Sequence, residues 1–239
     1  MPTARSFKLV EWSGHGWRAV EAQHKNATLA LVHGDLNAQA VLEQIIDAAK
    51  PLLPASAEGL HFLLSTAFRY QAPPPNGSRF RGRFDPAVFY GAEDEQTACA
   101  ESGYWRLRFW RDSEGLSGRE TLLPMTLFEF HGATRQAVDL TKRPWVAQRG
   151  RWTDPTNYAA TQRLAADVRD ASGELIRYES VRNSPAGRCL AILTPAVFKA
   201  VAEPYRHEQQ GWTLFLQAPH VAVWQRNVDG ASFAFRFGG

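Results

Sequence analysis

Short apolar strands separated by turn residues, with helices at irregular intervals, are the feature of the sequence that most restricts its fold. Runs of this kind occur from one end of the chain to the other. We predict strands over residues 8–10, 17–20, 28–32, 87–91, 121–130, 138–140, 174–181, 189–193, 212–216, 221–225 and 233–237. Because the chain lacks a regular strand–helix–strand alternation, we predict an α+β fold with mixed β-sheets and flanking helices.

Helical periodicity interrupts the strands at a few places. Apolar side chains at helical spacing predict a helix over residues 37–49, which Pro51 and Pro54 end. A longer helix is predicted over residues 94–110, with acidic residues in its first turn and arginines near its end. Another should begin at Asp154-Pro155, where an Asx cap precedes proline, and a short one follows Thr194.

The length and composition favour one domain. A chain of 239 residues with 44% hydrophobic residues can bury a substantial core, and the sequence shows neither an internal repeat nor a low-complexity linker. We therefore predict a single domain over residues 1–239. Within it, we expect residues 1–55 to form an N-terminal extension packed on a core over residues 60–239.

Charge and cysteine content restrict the partners and the compartment. A formal net charge of +3 suits an anionic ligand but is small for a nucleic-acid-binding protein. The two cysteines lie far apart, and the seven histidines show no metal-ligand spacing, so we expect no disulfide framework and no metal site. Without a signal peptide or a membrane-spanning run, the chain is predicted to be cytoplasmic and to have no membrane partner.

The segment from Phe68 to Glu101 concentrates phosphate-binding cations, aromatic rings and one carboxylate. Arginine offers a planar fork for phosphate oxygens, a tyrosine ring can stack on a base, and a carboxylate can stabilise an oxocarbenium ion at a glycosidic carbon. These groups could hold a dinucleotide and break its glycosidic bond. The candidates are Arg69, Tyr70, Arg79, Arg83, Tyr90 and Glu101.

Each candidate has a structural alternative. Glu101 could be a solvent-facing helix residue, and Tyr90 a core tyrosine with a satisfied hydroxyl. Arg83, next to Asp85, could form a surface ion pair. Ser180, at the predicted end of a strand, could donate a hydrogen bond to a phosphate or a carboxamide, or be an ordinary strand serine. The aromatic residues Tyr104, Trp105, Phe109 and Trp110 are most simply interpreted as core packing.

Several ordered blocks make residues 60–193 resemble the RES domain family. The blocks are Phe68-Arg69-Tyr70, Gly77-Ser78-Arg79-Phe80, Val88-Phe89-Tyr90-Gly91, Ala98-Cys99-Ala100-Glu101 and Tyr178-Glu179-Ser180-Val181-Arg182. The family's Gly-Gly-Arg-Trp-Asn run is replaced here by Gly-Ser-Arg-Phe and a following Gly-Arg-Phe-Asp. Either Arg79 or Arg83 therefore corresponds to the family's second arginine.

This resemblance implies an NAD-degrading toxin of a toxin–antitoxin pair, on a fold related to ADP-ribosyltransferases. It implies catalytic roles for Arg69, Tyr90 and Glu101, and binding roles for Tyr70, Arg79, Arg83 and Ser180. NAD would be the substrate, with no cofactor, and inorganic phosphate or water would accept the ADP-ribose. An Xre-like helix-turn-helix antitoxin is the implied partner.

Two other functions stay open from the sequence. The same site could transfer ADP-ribose to a macromolecule. Alternatively, the arginines and aromatic residues could bind nucleic acid without catalysis, although the small charge excess and the absence of a recognisable motif argue against direct nucleic-acid binding.

Overall fold

Eight β-strands form one mixed sheet in the computed structural model, which describes residues 8–22, 26–70, 77–183 and 187–238. The strands are β1 (Val10–Glu21), β2 (Phe89–Ala92), β3 (Thr121–Asp139), β4 (Leu175–Glu179), β5 (Arg188–Ile192), β6 (Tyr205–Ala218), β7 (Val221–Arg226) and β8 (Ser232–Arg236). The helices are α1 (Asn26–Leu31), α2 (Leu36–Ala49), α3 (Phe62–Arg69), α4 (Glu95–Asp112), α5 (Arg149–Trp152), α6 (Ala159–Asp170) and α7 (Ala196–Lys199). The predicted α+β class is confirmed.

Strand β1 closes part of the sheet on itself. The strand order is β1-β2-β5-β4-β3-β6-β7-β8, and β1 also pairs with β3, from Val10 opposite Ala137 to Glu21 opposite Met125. Five strands therefore form a closed ring, and β6, β7 and β8 continue from β3. Among the described strands, only the pairing of β3 with β4 is parallel. Closure leaves β1 and β2 without long unpaired edges, which stabilises the region that carries the cleft described below.

Two apolar clusters fill the space on either side of the sheet. Helices α4 and α6 contribute Leu107, Trp110 and Val168 to the first cluster, which also contains Trp224 of β7. The second cluster joins α3 and α7 to the sheet, and Phe89, Phe130 and Phe198 meet edge to face within it. One face of helix α4 is therefore buried against the core, and its other face is not.

Some predicted elements were wrong in type or length. Residues 28–32, predicted as a strand, lie mostly in α1, and α3 was not predicted. The predicted strands at 8–10 and 17–20 belong to one strand, β1, and those at 121–130 and 138–140 belong to β3. These two strands pair along most of their length. Pairing with a long partner outweighs the local turn preference of Ser13 and Gly14. The helix expected from Asp154 begins at Ala159, since the Asp154 carboxylate instead accepts the N–H groups of Thr156 and Asn157 in a turn.

The predicted N-terminal extension consists of two different parts. Strand β1 is inserted between β2 and β3, so it belongs to the sheet. Helices α1 and α2 instead pair with each other through the Thr28 hydroxyl and Glu43, and α2 has no buried residue. None of the described helices is both long and apolar enough to cross a membrane.

Candidate active site

A cleft of about 370 Å³ lies between α4 and the β1–β2 corner of the sheet. Its second wall is formed by the turn at Ser78 and Arg79 and by Tyr158, just before α6. The strand ends of β4 and β5 supply its floor through Tyr178 and Cys189. Elements distant in the sequence therefore meet at one concave surface, the usual form of a ligand site.

Glu101 lies in this cleft on the unburied side of α4. The helix begins after Asp94, whose side chain accepts the Thr97 N–H at 2.7 Å. In the next turns, Ala98, Glu101 and Ser102 line the cleft. The Glu101 carboxylate accepts a hydrogen bond of 2.6 Å from Ser180 Oγ. Glu101 is the only carboxylate among the described residues that line this cleft.

Ser180 positions that carboxylate. It is fully buried immediately after β4, and its Oγ accepts the backbone N–H groups of Arg182 and Asn183 at 3.1 and 3.0 Å. With both donors directed at its oxygen, the hydroxyl proton is donated to Glu101. The chain turn after β4 brings the two side chains together, so the hydroxyl fixes Glu101. A hydrogen bond from Ser180 to a phosphate or a carboxamide stays a prediction.

Tyr90 contributes an uncharged ring to the cleft. Its hydroxyl accepts the Phe80 N–H at 3.0 Å and shares a hydrogen bond of 2.8 Å with Ser78 Oγ. Burial raises the pKa of Tyr90 above its usual value of 10.0, although these hydrogen bonds act in the opposite direction. The phenol therefore stays protonated near neutral pH. In the structure it also fixes the turn that carries Arg79.

Two further buried groups near Glu101 are neutral. Burial raises the pKa of the Tyr178 phenol and of the Cys189 thiol well above their usual values, and the Glu101 charge adds to both shifts. Cys189 Sγ lies 3.8 Å from the Glu101 carboxylate. The negative charge at the floor of the cleft is thus confined to Glu101.

Of the two arginines that could correspond to the family's second arginine, Arg79 lines the cleft. It is buried, donates to the carbonyls of Trp152 and Asp154 at 3.0 and 2.9 Å, and lies 4.7 Å from the centre of the Tyr158 ring. Arg83 is exposed, outside the cleft lining, with its guanidinium 5.5 Å from the Phe84 ring. Of these two arginines, the structure therefore brings Arg79 to the cleft, and which of them binds a ligand stays a prediction.

Arg69 and Tyr70, at the end of α3, also lie outside the cleft lining. The Arg69 Nε is buried without a hydrogen-bond partner among the described residues. Tyr70 is 44% exposed, and its carbonyl accepts a hydrogen bond from Arg81 at 3.3 Å. The catalytic role of Arg69 and the binding role of Tyr70 stay predictions.

Arg182 and Arg18 also line the cleft, although neither was predicted from the sequence as a site residue. The Arg182 guanidinium lies 3.4 Å from the centre of the Tyr104 ring and donates to the Pro155 carbonyl at 2.8 Å, so it links α4 to the loop before α6. It was part of the block that ends in Ser180-Val181-Arg182, which could have signalled it. Arg18 donates to the Tyr90 carbonyl at 2.6 Å, and burial lowers the pKa of this guanidinium to about 10. No local motif marked Arg18.

No group of three or more His, Cys, Asp or Glu side chains within the described ranges is placed to hold a metal ion.

Comparisons with known proteins identify the family to which the chain belongs. A chain of the crystal structure of the M. tuberculosis MbcT–MbcA toxin–antitoxin complex is similar to this chain with 12% sequence identity and a TM-score of 0.44, covering 88% of this chain and 87% of that chain. No curated protein matches the sequence. The family model described as RES domain matches residues 53–217, which is more than half of the chain. The protein therefore belongs to the RES domain family.

Proposed function

We propose that the protein is an enzyme that cleaves the nicotinamide–ribose bond of NAD and transfers ADP-ribose to inorganic phosphate or water. The observation that carries this proposal is the single carboxylate of Glu101, fixed by the buried Ser180 in a cleft that also holds the guanidinium groups of Arg79 and Arg182. A negative charge beside permanent cations suits a ligand with a cationic sugar centre and phosphates.

The chemistry requires one carboxylate and no general acid. Nicotinamide is bound to ribose as a cation, so the bond electrons move to the ring nitrogen and the ring leaves neutral. The ribose carbon then carries an oxocarbenium charge, which the Glu101 carboxylate stabilises. A water or phosphate oxygen attacks that carbon, and the proton of an attacking water goes to solvent.

The surroundings of Glu101 support this role. Tyr90, Tyr178 and Cys189 are all neutral at physiological pH, because burial raises their pKa values. Among the described residues that line the cleft, the Glu101 carboxylate is therefore the group whose negative charge can stabilise a cationic sugar carbon, in a partly enclosed site where electrostatic stabilisation is stronger than in water. Arg79 is held by two backbone carbonyls and the Tyr158 ring, so it can bind phosphate without reorganising.

We also propose that the protein is the toxin of a toxin–antitoxin pair and that it acts in the cytoplasm. Membership of the RES domain family supports this assignment. The expected partner is an Xre-like helix-turn-helix antitoxin that holds the enzyme inactive. Co-expression with the neighbouring gene, followed by purification of the complex, tests for that partner.

Glu101→Gln tests the catalytic role. The substitution keeps the shape and the hydrogen bond from Ser180 but removes the charge, so we expect NAD turnover to fall by about a hundredfold or more, with NAD binding largely kept. Turnover is measured as nicotinamide release, and binding by calorimetry. Glu114→Gln, at an exposed position after α4, is the matched control and should leave turnover unchanged. Full turnover by Glu101→Gln would contradict the mechanism.

NAD labelled on its adenine half separates the possible acceptors. Free ADP-ribose or its phosphate ester supports transfer to water or to phosphate. Labelled protein or nucleic acid in a cell extract indicates a macromolecular transferase instead. If the wild-type protein releases no nicotinamide and binds oligonucleotides with steep salt dependence, it is a nucleic-acid-binding module.

A further inference from the structure

Two exposed aromatic residues stand at the mouth of the cleft. Trp105 and Phe109 are 42% and 62% exposed, and both line the cleft that contains Glu101. They follow Glu101 by four and eight residues, so the three side chains share one face of α4. The aromatic residues of this helix thus divide into two groups. Trp110 is buried in the core, whereas Trp105 and Phe109 face the cleft.

Strand β1 lines the same cleft as these rings and is joined to α4 by an ion pair. Arg106, which lies between them in the sequence, forms an ion pair of 2.5 Å with Glu21 at the end of β1. Trp17 and Ala19 of the same strand line the cleft. The rings therefore border a defined slot between α4 and β1, unlike apolar residues scattered singly on a surface.

Glu101, Trp105 and Phe109 follow one another along the axis of α4. With a rise of about 1.5 Å per residue, Trp105 and Phe109 lie about 6 and 12 Å beyond Glu101 along the helix axis. The Arg182 guanidinium stacks on Tyr104, immediately before Trp105. A ligand extended along this face meets a carboxylate, then a guanidinium, then exposed aromatic rings.

We propose that Trp105 and Phe109 form the stacking platform for the adenine base of the dinucleotide. This inference rests on the proposed function. In NAD the cationic ribose carbon, the pyrophosphate and the adenine follow one another, and this order matches Glu101, Arg182 and the aromatic pair. A purine face stacks on exposed aromatic rings and buries apolar area of both partners.

Substitution of the platform residues tests the inference through KM. Base–aromatic stacking contributes about 1–3 kcal/mol for each base, so Trp105→Ala and Phe109→Ala should raise KM for NAD by about five- to a hundredfold, with kcat nearly unchanged. Phe84→Ala is the matched control, because Phe84 is 91% exposed but lies outside the cleft lining. Its KM should equal that of the wild type.

Nicotinamide mononucleotide, which lacks the adenine half, separates stacking from a general effect on the site. Its KM should be the same in the wild type, Trp105→Ala and Phe109→Ala. An equal rise in KM for both substrates would overturn the adenine assignment. An unchanged KM for NAD in both variants would also overturn the adenine assignment. The proposed function would survive that result if the wild type still cleaves NAD.

Direct binding keeps the inference testable if the wild type does not cleave NAD. AMP, followed by its quenching of tryptophan fluorescence and by calorimetry, should bind the wild type and Glu101→Gln alike. It should bind Phe109→Ala at least five times more weakly. Failure of AMP to bind the wild type would show that the rings do not hold a purine, whatever reaction the enzyme performs.

Discussion

At the scale of single residues, hydrogen bonds from neighbouring side chains fix the orientation of the groups that line the cleft. Ser180 donates to the Glu101 carboxylate and accepts two backbone N–H groups of the following turn. Tyr90 similarly holds the Ser78 and Phe80 end of the turn that carries Arg79. Orientation of this kind matters because a displacement of a catalytic group by about 1 Å can cost a hundredfold in rate.

Ser180→Ala should therefore affect both stability and turnover. It leaves two partly buried N–H groups without an acceptor and the carboxylate without its donor, so the free energy of unfolding should fall by about 1–3 kcal/mol. We expect kcat for NAD cleavage to fall by about ten- to a hundredfold for the folded protein, with a smaller change in KM. Urea unfolding and steady-state kinetics measure the two effects.

Ser113→Ala is the control for this residue. Ser113 is half-buried at the end of α4, where its hydroxyl donates to the Phe109 carbonyl at 2.7 Å. Turnover by this variant should match that of the wild type. If Ser180→Ala unfolds more easily yet keeps full turnover at a temperature where it is folded, Ser180 stabilises the fold without positioning Glu101.

At the scale of elements, the position of Glu101 depends on the close packing of α4 against the sheet. Gly103 lies at the contact with β7, where an added Cβ would be 2.9 Å from Trp224 Nε1 and 3.4 Å from the Ala222 Cβ. Any larger side chain there must move the helix or the tryptophan, and Trp224 is fully buried. This close contact with β7 therefore fixes the position of the helix that carries Glu101.

Gly103→Ala should destabilise the protein, although alanine is favoured over glycine within a helix. The helical preference contributes about 1 kcal/mol in favour of alanine, and overpacking costs about 1–3 kcal/mol. We expect a net loss of stability in thermal unfolding, together with lower NAD turnover, since Glu101 lies two residues away. In Gly150→Ala, the matched change in α5, the new Cβ meets no atom within 4 Å, so stability should not fall. A Gly103→Ala protein as stable as the wild type would show that α4 can shift freely.

At the scale of the whole molecule, burial in the apolar core affects the ionisation of two thiols, one on α4 and one on β5. Burial raises the pKa of both thiols, Cys99 and Cys189, above their usual value of 9.0. Above that pH the unfolded chain releases these protons while the folded protein keeps them. The unfolded state then binds fewer protons, so the stability that the neutral thiols contribute is complete below pH 9.0 and is lost as the pH rises.

The free energy of unfolding should decrease between about pH 8 and pH 10, by up to about 1.4 kcal/mol per pH unit for each thiol above its usual pKa. Urea unfolding under reducing conditions measures this slope. The double variant Cys99→Ala and Cys189→Ala should show a shallower decrease over the same interval, whatever its absolute stability. Equal slopes would mean that the thiols ionise in the folded protein as they do in the unfolded chain.

Local patterns in the sequence were sufficient for the α+β class, for α2 and α4, and for placing Glu101 within a helix, because helical periodicity and capping operate over a few residues. Only the tertiary structure decided that Ser180 holds Glu101, since 79 residues separate them. It likewise places Arg79, and not Arg83, in the cleft lining, joins the two predicted parts of β1, and directs Trp105 to the cleft and Trp110 to the core. These outcomes depend on strand register and helix packing between distant segments, which no short stretch of sequence contains.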